Sequence, residues 1–132
     1  MTSEEQAVRR SLDDFMAADR ARDLPRLLSM LADDCVFLMP GRPPVAGKAA
    51  VEALYRQYYE RYADAEVDHT ATIEELQVAG DWAYWWGVDA VTITPPAGAP
   101  PIKARGHGMG ILRRGADGTW KQARGINNMM AI

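Results

Sequence analysis

The chain contains one cysteine and two histidines in 132 residues, and its formal net charge is −3. It has no apolar run long enough to cross a bilayer. A lone cysteine, Cys35, excludes an internal disulfide and fits a reducing, cytoplasmic setting. Cys35 lies in the apolar run Cys35-Val36-Phe37-Leu38-Met39 with no histidine near it in sequence, so packing is its expected role, not nucleophilic chemistry. The shortage of basic charge argues against a nucleic-acid backbone or an anionic membrane as the main partner, because both demand a concentrated cationic surface. The opening Met1-Thr2-Ser3-Glu4-Glu5 is polar and acidic, unlike a signal peptide. There are no internal repeats, no low-complexity segments and no redox-cofactor motif. The glycines of Gly106-His107-Gly108-Met109-Gly110 fall inside an expected strand, the wrong context for a phosphate loop, so no cofactor is expected.

Hydrophobic residues make up 48% of the chain and charged residues 25%, which suits one globular domain spanning residues 1–132. Ser3 and Gln6 read as a capping box, and Val8, Leu12, Phe15 and Met16 follow at helical spacing, so a helix is expected from Glu4 to about Arg22. Asp23 caps a second, short helix with Pro25 in its first turn and Leu24, Leu27, Leu28 and Leu31 on its buried face. Ala32-Asp33-Asp34 ends it, and Cys35–Met39 is a short strand stopped by Pro40-Gly41. A third helix begins at Lys48 and carries Val51, Leu54, Tyr55, Tyr58 and Tyr62 on one face. Any of those hydroxyls that is buried needs a partner.

From Val67 onward the pattern turns to strands: Val67–Val78 with a phase slip at Glu74-Glu75, then Trp82–Thr94, Ile102–Arg113 and Trp120–Met130. A bulge explains the slip and bends the strand. Helices first and a meander afterwards predict an α+β fold. If the hairpin around Pro95–Pro101 closes symmetrically, Thr94 faces Ile102 and Asp89 faces His107. The same register puts Gly110 opposite Trp86. Three alternating glycines then either let Trp86 and its neighbours lie flat over bare backbone, the preferred reading, or leave room for a ligand.

Asp89 and His107 are the leading catalytic candidates. A carboxylate bonded to one imidazole nitrogen fixes the tautomer and frees the other nitrogen for proton transfer. The plain alternative is a cross-strand ion pair. With the bulge, His69 joins the same face, but no close-spaced ligand motif supports a metal site and none is expected. Arg105 and Arg124 on neighbouring strands either anchor a substrate oxygen or pair with acids at the surface. Asn127 and Asn128 either donate to a carbonyl or satisfy backbone groups. Trp82, Tyr84 and Trp86 share one face, suited to a partner subunit, and Trp85 takes the face of Asp89.

Residues 31–40 (Leu-Ala-Asp-Asp-Cys-Val-Phe-Leu-Met-Pro), the Gly47 helix start, Gly80-Asp81-Trp82-Ala83-Tyr84, Arg105-Gly106 and Asp117-Gly118-Thr119-Trp120-Lys121 resemble the nuclear transport factor 2-like superfamily, in its SnoaL-like branch (the SgcJ/EcaC type). The resemblance implies a cystatin-like, ketosteroid-isomerase-like fold. In it a cone-shaped, curved, mainly antiparallel sheet wraps around three N-terminal helices and leaves an apolar pocket open at one end. It also implies a homodimer formed through the sheets. Members include steroid isomerases, epoxide hydrolases, polyketide cyclases, dehydratases and non-catalytic assembly domains. The isomerase-like members carry a general-base aspartate at the position of Met39, and the epoxide-hydrolase-like pattern places aspartate where this chain has Gly125 after Arg124. Both departures count against those two chemistries. Relatives also often carry an aromatic residue at the position of Gly108.

The resulting expectation is a cofactor-independent enzyme that moves a proton on a small, apolar, carbonyl-bearing molecule, by isomerisation, cyclisation or dehydration. His107 is its acid or base and Asp89 the orienter. Tyr58 or Arg124 stabilises oxyanion charge, while Phe15, Phe37, Met39, Leu54, Trp85 and Met109 shape the wall. The rivals are a dimeric ligand-binding protein and an assembly module whose cavity is filled by its own side chains.

Overall fold

The computed structural model describes residues 1–132. Helix α1 spans Ser3–Arg20, and its cap lies one residue before the expected one: the Thr2 hydroxyl accepts the Glu5 N–H at 3.1 Å. Val8, Leu12, Phe15 and Ala18 form its buried stripe. The chain then turns through Arg22 at φ 53° into α2, Leu24–Ser29, which Asp23 caps as the sequence predicts. Strand β1, Leu31–Leu38, begins earlier than expected and takes in Ala32-Asp33-Asp34. It is held there by β6, with an irregularity between Leu31 and Val36 that accommodates the two exposed acids. Strand β2 is Val45–Ala46 and α3 is Lys48–Arg61.

The remaining strands are β3 (Glu66–Ala79), β4 (Trp82–Thr94), β5 (Ile102–Arg114), β6 (Trp120–Asn127) and β7 (Met130–Ala131). The sheet order is β2-β1-β6-β5-β4-β3, with β7 paired to β5. Only β1 and β6 run parallel. The result is an α+β fold with a curled, unclosed mixed sheet around the helices. The bulge anticipated at Glu74-Glu75 is present between Ile73 and Glu75. The last expected strand is in fact two. Asn128 breaks it, because its Oδ1 accepts the His107 N–H at 2.6 Å while its own N–H donates to the His107 carbonyl.

Two apolar clusters fill the interior. One joins Phe15, Ala18, Leu24, Leu27, Leu31, Cys35, Phe37 and Val51, so Cys35 is a packing residue as expected. The other joins Val8, Leu12, Ala83, Leu112 and Trp120. Between them the sheet's concave face stays partly uncovered.

The β4–β5 register differs from expectation by one residue. Ile93, not Thr94, faces Ile102. The hairpin axis passes between Ala97 and Gly98, which both take positive φ (59° and 82°), and not through Gly98 alone. A two-residue tip of that kind matches strand twist. Because side chains alternate, a one-residue slip moves every β5 side chain to the other face. Asp89 therefore faces Gly106, and His107 faces Val88 on the convex side. The expected Asp89–His107 pair does not form. Gly110 faces Trp85, not Trp86.

Candidate functional site

The concave face of the sheet encloses a cavity of about 150 Å³. Its wall combines Leu12, Phe15 and Met16 of α1, Phe37, Leu38 and Met39, and Tyr55 of α3 with residues of β3 to β6. Phe15, Phe37, Met39, Trp85, Met109 and Asp89 line it, as the sequence suggested. Met109 reaches it only at the lip and is 43% exposed.

Leu54, Tyr58 and Arg124 are not part of the wall. On α3 the inward position belongs to Tyr55 and Tyr59, which pack on the core, while Tyr58 meets Tyr62 edge to face with centroids 5.4 Å apart. Arg124 faces outward and donates to the carbonyls of Asp34 and Ala123 at 2.8 and 2.7 Å. The oxyanion role expected of Tyr58 or Arg124 therefore has no geometric basis. His107 is exposed on the opposite face, so it lines no cavity and shares no ligand set with His69 and Asp89.

The histidine that does enter is His69. It lies on β3 two residues from Ala71, the partner of Asp89, so the two side chains are diagonal neighbours on one face. Its Nε2 lies 3.7 Å from Asp89 Oδ1, an ion-pair distance that leaves the nitrogen buried without a hydrogen bond. Its Nδ1 lies 3.5 Å from Asp19 Oδ2. Asp19 in turn accepts the Tyr59 hydroxyl at 2.8 Å. Burial disfavours the imidazolium, but the two carboxylates outweigh it, and the His69 pKa rises to about 9. His69 is thus a cation at neutral pH. Burial first, and Asp19 second, push the Tyr59 hydroxyl far above its ordinary range, which keeps it a donor.

Asp19 and Tyr59 escaped the sequence reading. The signal for Asp19 was present: it follows Leu12 and Phe15 at helical spacing, an acid on an otherwise apolar stripe. Tyr59 lies one position from the tyrosine chosen.

The alternate glycines belong to this face. A Cβ on Gly108 would sit 2.4 Å from Asp89 Oδ2 and 3.0 Å from Trp85, and one on Gly110 would meet Trp85 Nε1 at 2.4 Å. The indole lies over bare β5 backbone, and the carboxylate rests beside it. Across β5, Asn127 pairs with Gly108 and also lines the cavity. Its Oδ1 accepts the Met129 N–H at 3.1 Å, which fixes the amide's orientation and leaves its NH₂ without a protein acceptor. A carboxylate and an amide donor therefore flank one glycine.

A SnoaL-like domain model matches residues 12–123, most of the chain and all of these elements but the ends. The chain belongs to the SnoaL-like family. A conserved protein from Planctomyces limnophilus superposes with a TM-score of 0.89 at 32% identity, over 98% of each chain. A ketosteroid isomerase-like protein from Erwinia carotovora atroseptica gives 0.84 at 25% identity, over 100% of each chain. The protein Aln2 from a Streptomyces species gives 0.83 at 18% identity over 97% of this chain and 92% of its own, a likeness of fold alone. No curated protein matches the sequence. Within this SnoaL-like fold Met39 is an apolar wall residue; the buried carboxylate of the wall, Asp89, comes from β4, and the other acid lining it, Asp13 of α1, is exposed.

Proposed function

We propose that the protein is a cofactor-independent enzyme that transfers a proton on a small, largely apolar, carbonyl-bearing molecule, in an isomerisation, cyclisation or dehydration. The observation that carries this is the pairing, inside one apolar cavity, of a carboxylate with an imidazolium whose Nε2 is unspent. The raised His69 pKa makes the imidazolium the donor and leaves the neighbouring carboxylate as the base. Asp89 is the base that removes a proton from carbon next to the carbonyl. His69, charged at neutral pH, supplies a donor to the oxygen on which charge develops, and Asn127 supplies another. The proton returns from Asp89 to a second carbon in an isomerisation, to the new alkoxide in a cyclisation, or to the hydroxyl whose C–O bond breaks and which leaves as water in a dehydration, so no oxidant or external acid is consumed. Asp19 positions His69 and, with Asp89, keeps it protonated, while Tyr59 anchors Asp19. The isomerase-like relative from Erwinia carotovora atroseptica is consistent with this chemistry.

The test is exchange of solvent deuterium into the acidic C–H of a small apolar ketone such as 2-tetralone, followed by NMR. The wild type should speed exchange above the buffer rate, and Asp89→Asn should lower that catalysis by about 10²–10⁴-fold with the fold intact. Wild-type exchange no faster than buffer, or an Asp89→Asn protein as fast as wild type, would refute the assignment.

A further inference from the structure

Among the polar side chains of the cavity wall, Gln122 has no task in this chemistry. Gln122 is 7% exposed and lines the cavity, and its carboxamide keeps access to the cavity without a hydrogen bond to protein. Its backbone is fixed, since its N–H donates to the Met30 carbonyl at 2.9 Å and its Cα partners are Leu31 and Leu112. The side chain faces the cavity that Leu12, Phe15 and Phe37 also line, with two donors and an acceptor unspent. Water in the cavity can serve that amide in the free protein, so a ligand that displaces the water must bring an oxygen of its own or lose those hydrogen bonds.

We propose that Gln122 is a second recognition point, which binds a hydroxyl or carbonyl oxygen at the end of the ligand remote from Asp89. The substrate class is then a bifunctional molecule: a carbonyl at the Asp89 end, an apolar ring skeleton, and an oxygen function at the far end. The register sets its length. The Asp89 carboxylate rests over Gly108, and Gln122 pairs with Leu112 on the same strand. Four strand residues span roughly 13 Å. The reach of the two side chains shortens this to the length of about two fused rings. This assignment rests on the reading of the cavity as a ligand site and adds the second function to it.

The experiment compares 2-naphthol with 2,6-dihydroxynaphthalene, two probes that differ by one far hydroxyl, through quenching of tryptophan fluorescence. The wild type should bind the diol about tenfold more tightly, the worth of one neutral hydrogen bond in a buried site. Gln122→Leu should keep its affinity for 2-naphthol and lose the preference. Gln122→Met serves the same purpose if leucine disturbs the packing. Equal affinity of the wild type for both probes, or a preference that survives both substitutions, overturns the role of Gln122 while leaving the cavity a ligand site. Failure of both probes to bind the folded wild type overturns the cavity reading and this assignment with it.

Discussion

His69 couples stability to pH in one direction. Its folded-state pKa of about 9 stands above the ordinary 6.5, so the stabilisation is complete below pH 6.5 and is lost as pH rises through about 9. The difference amounts to no more than about 3 kcal/mol. Urea unfolding at pH 6 and pH 10 should show that loss in the wild type and little of it in His69→Gln. Catalysis that depends on the imidazolium should fall over the same interval, read as kcat/KM against pH. His107→Ala, by contrast, should change neither turnover nor probe binding, because that ring is exposed on the convex face. A tenfold loss in His107→Ala would return the catalytic role to the residue that sequence symmetry selected. That error came from the hairpin tip alone. Asp89, Trp85 and the wall residues Phe15, Phe37 and Met39 were readable from alternation and helical spacing, whereas the partner of Asp89 depended on whether the loop centred on a residue or on a bond.

At the scale of elements, β5 is built around missing side chains. Gly108→Ala would push on the Asp89 carboxylate and the Trp85 ring together, and a thermal melt should show a loss of about 1–3 kcal/mol with a larger fall in activity. Gly87→Ala is worse, because the added carbon would lie 1.9 Å from the Thr72 carbonyl oxygen, a backbone atom with no rotamer to yield. That variant should express poorly or unfold well below the wild-type temperature. The elements themselves were largely legible: α3, the β3 bulge and the limits of β4 follow from capping, periodicity and turn residues. Strand β1 was read too short because its first residues depend on β6, a neighbour distant in sequence. The β6–β7 break was missed because Asn128 acts through the backbone of His107, which no local pattern displays.

For the molecule as a whole, the convex sheet face exposes Trp82 (48%), Trp86 (39%) and Ile111 (36%). We propose that a second copy of the chain covers this face. Sedimentation velocity should show a dimer, and Trp86→Glu should weaken it at least about thirtyfold. A wild type that stays monomeric at high concentration would sink the idea. Beneath that face, the arrangement of Asp19, His69 and Asp89 has a consequence for traffic into the cavity. Two carboxylates bracket a single imidazole inside the fold. A second carboxylate beside the one cation should make the cavity less hospitable to free acids than to their esters and ketones, an order that competitive binding of a carboxylic acid and its methyl ester would show.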